Sequence, residues 1–206
     1  MQRAVSVEVM RNSDAWTIEH LIPSKELMYR AGLGIYKSAS WKAPVAIVCG
    51  SGNNAGDGYV VADLLDRDGI DCTIILLSEK FSEDGRYYYD ICKKNNIRSE
   101  LFNGSLYGYA VILDCILGTG FSGEVRGRAL EAIDAINNSG AYVISADINS
   151  GLNGDTGMGT TFVRSDLTVS IGEYKTGHFK GLANIAMKAK TNVDIGIKIQ
   201  GDFEYF

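Results

Sequence analysis

The chain is short of basic charge. Lys and Arg number 20 against 25 Asp and Glu over 206 residues, a formal net charge of −5, and no basic stripe is visible. Charge therefore gives no reason to expect nucleic acid. An anionic ligand would have to be held by backbone amides and local dipoles. No apolar run reaches the length of a membrane span, and the opening MQRAVSVEVMRNSDAW has no signal-peptide core, so no membrane partner is expected and a cytoplasmic location is. The four cysteines, Cys49, Cys72, Cys92 and Cys115, form no CxxC pair. Three sit in or beside predicted strands, where reduced, buried thiols are expected. No repeat, low-complexity tract or linker interrupts the chain. With 46% hydrophobic residues it can build a full core, and residues 1–206 read as a single domain.

The most informative stretch is VAIVCGSGNNAGDGYV, from Val45 to Val60. Its short apolar run, Val45 to Val48, suits a strand buried on both faces. Gly50, Gly52 and Gly56 follow, then Asp57-Gly58, and apolar residues return at helical spacing at Val60, Val61, Leu64 and Leu65. Strand, glycine turn, helix is the layout of a phosphate or dinucleotide site, in which bare N–H groups at a helix N-terminus face an anion. The spacing is not GxGxxG, which disfavours an ordinary NAD-dependent dehydrogenase. No Gly-Lys-Ser/Thr follows, which excludes a Walker A loop. Asn53 and Asn54 instead bring uncharged amide donors and acceptors.

Elsewhere, Ser13 or Asp14 is placed to cap a first helix, and Ser24 a second with the apolar stripe Leu27, Met28, Ala31 and Ile35. A helix is expected over 56–68, strands over 72–78, 110–117, 141–148 and 166–172, helices over 82–96 and 128–138, and a last strand within Asn192–Ile197. Tyr87, Tyr88 and Tyr89 read as surface packing or a subunit contact. Strands alternating with helices predict an α/β fold: a three-layer αβα sandwich, Rossmann-like, with a mostly parallel sheet.

Ligands of such sheets bind beyond the carboxyl ends of the strands. There lie Asn53, Asn54 and Asp57 after the first strand, Asp114 near the end of the third, and Asp147 and Ser150 after the fourth. Lys175 and His178 follow the fifth. Buried carboxylates need partners. Asp114 and Asp147 are expected to converge on one crevice, and the surrounding donors are all oxygens, which favours a hard cation over zinc.

Four segments carry a family resemblance: GSGNNAGDG at 50–58, DCILGTGFSGEVRG at 114–127, SADINSGLNGDTG at 145–157 and KTGH at 175–178, with LMYRAG near the N-terminus. On these the chain resembles the NAD(P)H-hydrate epimerase family, the YjeF N-terminal-like domain. The resemblance implies a Rossmann-like sandwich, usually a homodimer, that interconverts the R and S epimers of NADHX and NADPHX. These are cofactors hydrated at carbon 6 of the nicotinamide ring. It also implies a potassium ion held by Asn54, Asp114 and Ser150. Substrate contacts are implied for Asn53, Asn54, Ala55, Gly56 and Asp57, for Gly118, Thr119, Gly120, Phe121, Ser122, Gly123 and Glu124, and for Asp147. Family members often carry a dehydratase domain as well. Three positions depart from the family pattern. Ala55 replaces a glycine beside the expected ligand. Asn149 replaces a proline and is expected to loosen a turn. Tyr29 replaces a glutamate.

Inverting a hydroxyl beside a ring nitrogen can proceed by loss and re-addition of water through an iminium cation. Nearby carboxylates stabilise that charge, and one can move the protons. Asp147 is the candidate acid/base, with Lys175 and His178 as secondary candidates. No covalent nucleophile is required. Two other classes stay open: a non-catalytic nucleotide-binding module and a protein-interaction scaffold on the same fold.

Overall fold

The structure, a computed structural model, describes all 206 residues. In chain order the elements are β1 (Arg3–Ala4), α1 (Val7–His20), α2 (Ser24–Ser38), β2 (Val45–Cys49), α3 (Asn53–Arg67), β3 (Cys72–Leu76), α4 (Glu83–Lys94) and β4 (Arg98–Leu101). Then come β5 (Val111–Cys115), α5 (Gly127–Asn137), β6 (Tyr142–Ala146), β7 (Ser165–Ile171), α6 (Ala183–Ala186), β8 (Met187–Val193) and β9 (Glu204–Tyr205), with one 3-10 turn at Thr176–His178.

Seven strands form a single sheet in the order β4-β3-β2-β5-β6-β7-β8. Every neighbouring pair in it is parallel. From β2 the chain winds one way through β3 and β4, then restarts at β5 and winds the other way. Right-handed crossovers in opposite directions put their helices on opposite faces. The side chains follow. On β2, Val45, Ile47 and Cys49 enter the core under α2, α3 and α4, while Ala46 and Val48 enter the core under α5. That period of two is the strand's own geometry, and the two apolar cores are its result. The order of layers is αβα, as the sequence implies.

Several boundaries differ from expectation. Helix α1 begins at Val7, because the Ser6 hydroxyl accepts from Val9 N at 3.1 Å and supplies the N-cap. Ser13 is therefore inside the helix, fully buried, and its hydroxyl accepts from Gln200 N at 2.8 Å. Thr17, one turn on, accepts from Lys198 N at 3.0 Å. Helix α1 thus buries hydroxyls that receive the C-terminal segment, so its apolar period is weak in the sequence. Helix α3 starts at Asn53 rather than residue 56, which moves both asparagines from the turn into the first helical turn. Strand β4 was not expected: its four residues are exposed at the sheet edge and carry no apolar run. Strand β8 covers Met187–Val193 rather than Asn192–Ile197, again as an edge strand with few apolar residues. Tyr88 and Tyr89 are buried against the core, and of the three tyrosines only Tyr87 is exposed. All four cysteines are free and buried.

Candidate active site

The winding reverses between β2 and β5, and the loops leaving those strands part there. Open α/β sheets bind their ligands at such a switch point. A cavity of about 650 Å³ lies at this place. That is the size of a small-molecule or cofactor pocket. Its walls come from the loop and first turns of α3, the loop after β5, Asp147 just after β6, Lys175, α2 and the inner face of α1.

Gly50 makes the closeness possible: a Cβ there would stand 2.1 Å from the Ile116 carbonyl oxygen. Gly52 is the N-cap of α3 and offers no side-chain acceptor to the first N–H groups. The positive end of a 15-residue helix is thus left uncapped beside the cavity. Asn54 lines that cavity and is 8% exposed, yet neither its amide nitrogen nor its oxygen has a hydrogen-bond partner. A buried amide left without partners is costly.

Asp114 is fully buried beneath the loops. It accepts four hydrogen bonds: from Ser150 Oγ at 2.5 Å and Ser150 N at 3.0 Å, from Ser145 Oγ at 2.9 Å, and from Ile116 N at 3.2 Å. Burial pushes the Asp114 carboxyl above its ordinary range, and these donors oppose the push. The Ser150 hydroxyl also accepts from Leu117 N at 2.8 Å, tying the β5 loop to the β6 loop.

Asp147 follows β6 in the left-handed region, at φ 63°, which is uncommon outside glycine. Its neighbours hold it there. His178 Nε2 donates to the Asp147 carbonyl at 2.8 Å, and Lys175 N donates to His178 Nδ1 at 3.1 Å. Those contacts assign the neutral tautomer with its proton on Nε2. Burial and the Lys175 charge push His178 down to about 4, so it stays neutral at pH 7. Through that hydrogen bond it orients Asp147. The Asp147 carboxylate accepts from Thr119 N at 3.2 Å, from Thr119 Oγ1 at 3.0 Å, and from Lys175 Nζ. Burial pushes Asp147 up, but the Lys175 ammonium outweighs it and holds the carboxyl below its ordinary value. Lys175 is 1% exposed and also donates to the carbonyls of Ile171 at 2.9 Å and Glu173 at 3.1 Å. Three further carboxylates line the cavity: Asp14, Asp57 and Asp84. Burial raises Asp57 well above its ordinary value, with Asp147 and Asp14 adding to the effect. Burial likewise raises Asp14, to about 6.

Of the sequence candidates, Asn53, Asn54, Asp57, Gly118, Thr119, Gly120, Phe121 and Asp147 line the cavity. Asp114 and Ser150 meet each other below it, so Asp114 and Asp147 do not share its surface. Ala55, in the first turn of α3, is in the core, and a Cβ at Gly56 would stand 2.4 Å from Met28 Sδ, so the end of the Met28 side chain would have to move. Ser122, Gly123 and Glu124 are exposed outside the cavity, with Glu124 paired to Arg126. Asn149 does not loosen its turn. Its amide donates to Val163 O at 2.9 Å, Ser165 Oγ at 3.0 Å and Ala186 O at 3.0 Å, and accepts from Thr168 Oγ1 at 2.6 Å. The sequence offers residues 13–14 only as helix caps and does not place Asp14 in the cavity; the available signal is its position one turn from Met10 and Ile18.

The chain matches the family model described as YjeF-related protein N-terminus over residues 24–177. It is 36% identical to a protein of Lentilactobacillus buchneri named NAD(P)H-hydrate epimerase, covering 99% of each chain. It is 35% identical to a protein of Limosilactobacillus reuteri with the same name, over 85% of this chain and 87% of that one. It is also 35% identical to the bifunctional NAD(P)H-hydrate repair enzyme Nnr of Coxiella burnetii, covering 82% of this chain and 36% of that longer one. In three dimensions it is similar to the crystal structure of yeast ynu0, with a TM-score of 0.72 at 19% identity, over 89% of this chain and 86% of that chain. Matching family model, relatives aligned end to end and a shared fold lead to one conclusion: this chain belongs to the family of YjeF-related N-terminal domains.

Proposed function

We infer that the chain is an isomerase of nicotinamide-cofactor repair, interconverting the R and S epimers of NADHX and NADPHX. The observation that carries this reading is the Asp147–Lys175 ion pair, set in a cavity at the switch point of the sheet. The names of the relatives aligned over nearly the whole chain support it.

The uncapped N-terminus of α3 would receive a phosphate of the dinucleotide. The nicotinamide ring would then lie towards Asp147. Loss of the hydroxyl at carbon 6 leaves a ring iminium cation, and carboxylates fixed in a low-dielectric site stabilise that charge as it develops. Asp147 is ionised, pinned by Thr119 and Lys175, and ready to take or return a proton.

We assign a potassium site to Asn54, Asp114 and Ser150. The fit rests on the unpartnered Asn54 amide, and on the absence of any group of three His, Cys, Asp or Glu that would suit a divalent or transition metal. One carboxylate with neutral oxygens suits a large monovalent ion better than magnesium, which demands tight octahedral geometry. When bound, potassium would supply fixed positive charge between the loops after β2, β5 and β6. A homodimer, on the resemblance alone, and a cytoplasmic location, on the sequence features, complete the proposal. No helix is long and apolar enough to cross a membrane.

The test is purified R-NADHX incubated with the chain in potassium buffer, with both epimers resolved by liquid chromatography and binding followed by calorimetry. Inversion above the buffer rate supports the enzyme. Binding without inversion selects a non-catalytic nucleotide-binding module instead.

A further inference from the structure

Inversion through a flat cation has a geometric requirement. Water must leave from one face of the ring and return on the other. Asp147 cannot serve both faces, because Lys175 and both donors of Thr119 fix its carboxylate against one wall. Helix α1 supplies a different wall of the same cavity, and the carboxylate it presents is Asp14. Asp14 belongs to none of the molecule's ion pairs. It therefore has no structural partner to satisfy. The unpartnered, nine-tenths buried Asn54 amide lines the same cavity and independently marks it as a ligand site.

Building on the epimerase reading, we propose that Asp14 is a second catalytic acid–base residue, serving the ring face turned to α1 while Asp147 serves the other. The steps balance without oxidant or reductant. Asp14, in its acid form, gives its proton to the carbon 6 hydroxyl. The C–O bond breaks, water leaves, and the ring-nitrogen lone pair forms the C=N bond. Water then adds to the opposite face, the C=N pair returns to nitrogen, and the surplus proton goes to Asp147. The opposite inversion runs the same steps backwards, and solvent resets the protons. The surroundings already separate the two carboxyls. Asp14 is raised to about 6 by burial, with Asp147 adding and Lys175 opposing, while Asp147 is lowered. Two carboxyls pushed apart in this way are the mark of an acid and a base. The other charged groups lining the cavity around Asp14 are Arg11 on its own helix, Asp57 on α3, Asp84 on α4 and Lys175.

The experiment follows R and S NADHX in water enriched in oxygen-18, with wild type, Asp14→Asn and Asp14→Glu, and a melting curve for each. We expect Asp14→Asn to slow inversion by about 100-fold or more. It should still exchange label into the one epimer whose hydroxyl faces Asp147, at least about tenfold faster than it inverts. Asp14→Glu should keep inversion within about tenfold of wild type, whether or not Asp14→Asn folds well. In wild type, kcat/KM should fall in both directions above pH 6, since both need the one proton shared by the pair, and Asp14→Asn should lose that limb. The proposal is overturned if Asp14→Asn inverts within about threefold of wild type, or if it loses label exchange and inversion equally. It is also overturned if Asp14→Glu is as inactive as a folded Asp14→Asn. Absence of inversion by wild type would overturn the epimerase reading itself.

Discussion

Replacing Lys175 by Met tests how the site holds its central carboxylate. Met keeps most of the apolar stem and removes the ammonium. Four partners then lose a donor: the Asp147 carboxylate, the Ser170 hydroxyl and the carbonyls of Ile171 and Glu173. Breaking one side of a buried ion pair typically costs about 3–5 kcal/mol. Asp147 keeps 14% of its side chain exposed and retains both Thr119 donors, which places the loss near the lower end, about 3 kcal/mol. For a domain of this length that is a fall in Tm of about 6–12 °C.

The loss must depend on pH, and its sign is fixed. In wild type the Asp147 carboxyl is held below its ordinary value by Lys175. Its stabilisation is therefore present above the unfolded-state pKa and is lost as pH falls through the folded one. In the variant Thr119 and His178 remain to oppose burial, and the loss of Lys175 raises the folded pKa. The variant then gains relative stability as the pH falls and Asp147 takes up a proton. Urea unfolding of both proteins at pH 8 and pH 5 reads this directly. The gap between them should shrink towards pH 5. A gap below about 1 kcal/mol at pH 8, or one equal at both pH values, would refute the ion-pair account of Lys175.

Asp147→Asn leaves the buried Lys175 ammonium unpaired, at a cost of about 3 kcal/mol, but its amide oxygen can still accept from Thr119, so the fold should survive while kcat falls by about 100-fold or more; chromatography of the two epimers checks it. Asn149→Ala should cost about 3 kcal/mol in urea unfolding, because it removes four hydrogen bonds in a fully buried position and takes a donor from the Val163 and Ala186 carbonyls, while Ser165 and Thr168 keep their bond to each other. Potassium should raise Tm and dinucleotide affinity more than sodium at equal ionic strength. Asp114→Ala should erase that difference, and superimposed wild-type melting curves in the two salts would remove the cation site.

The sequence was most legible where burial is symmetric. Strands β2, β3 and β5 are buried at every position, so their apolar runs announce them. Edge strands β4 and β8 carry exposed, polar residues and give no such signal. The meeting of Asp114 and Ser150 was legible because each lies at the carboxyl end of one of two neighbouring strands. The grip on Asp147 was not. It depends on Lys175 and His178 folding back under the β6 loop, where a buried lysine and a neutral histidine look like any loop residues in one dimension. Asp14 was hidden for a related reason. Helix α1 buries hydroxyls instead of an apolar stripe, so neither its start nor its inward face could be read from period.

The most direct test of the central claim approaches epimer equilibrium from both sides. Pure R-NADHX and pure S-NADHX are incubated separately with wild-type chain in potassium buffer, and the epimer ratio is followed by chromatography. The account predicts convergence on one ratio from both starting points, at a rate proportional to protein concentration. Convergence no faster than in buffer alone, at every protein concentration, would contradict it.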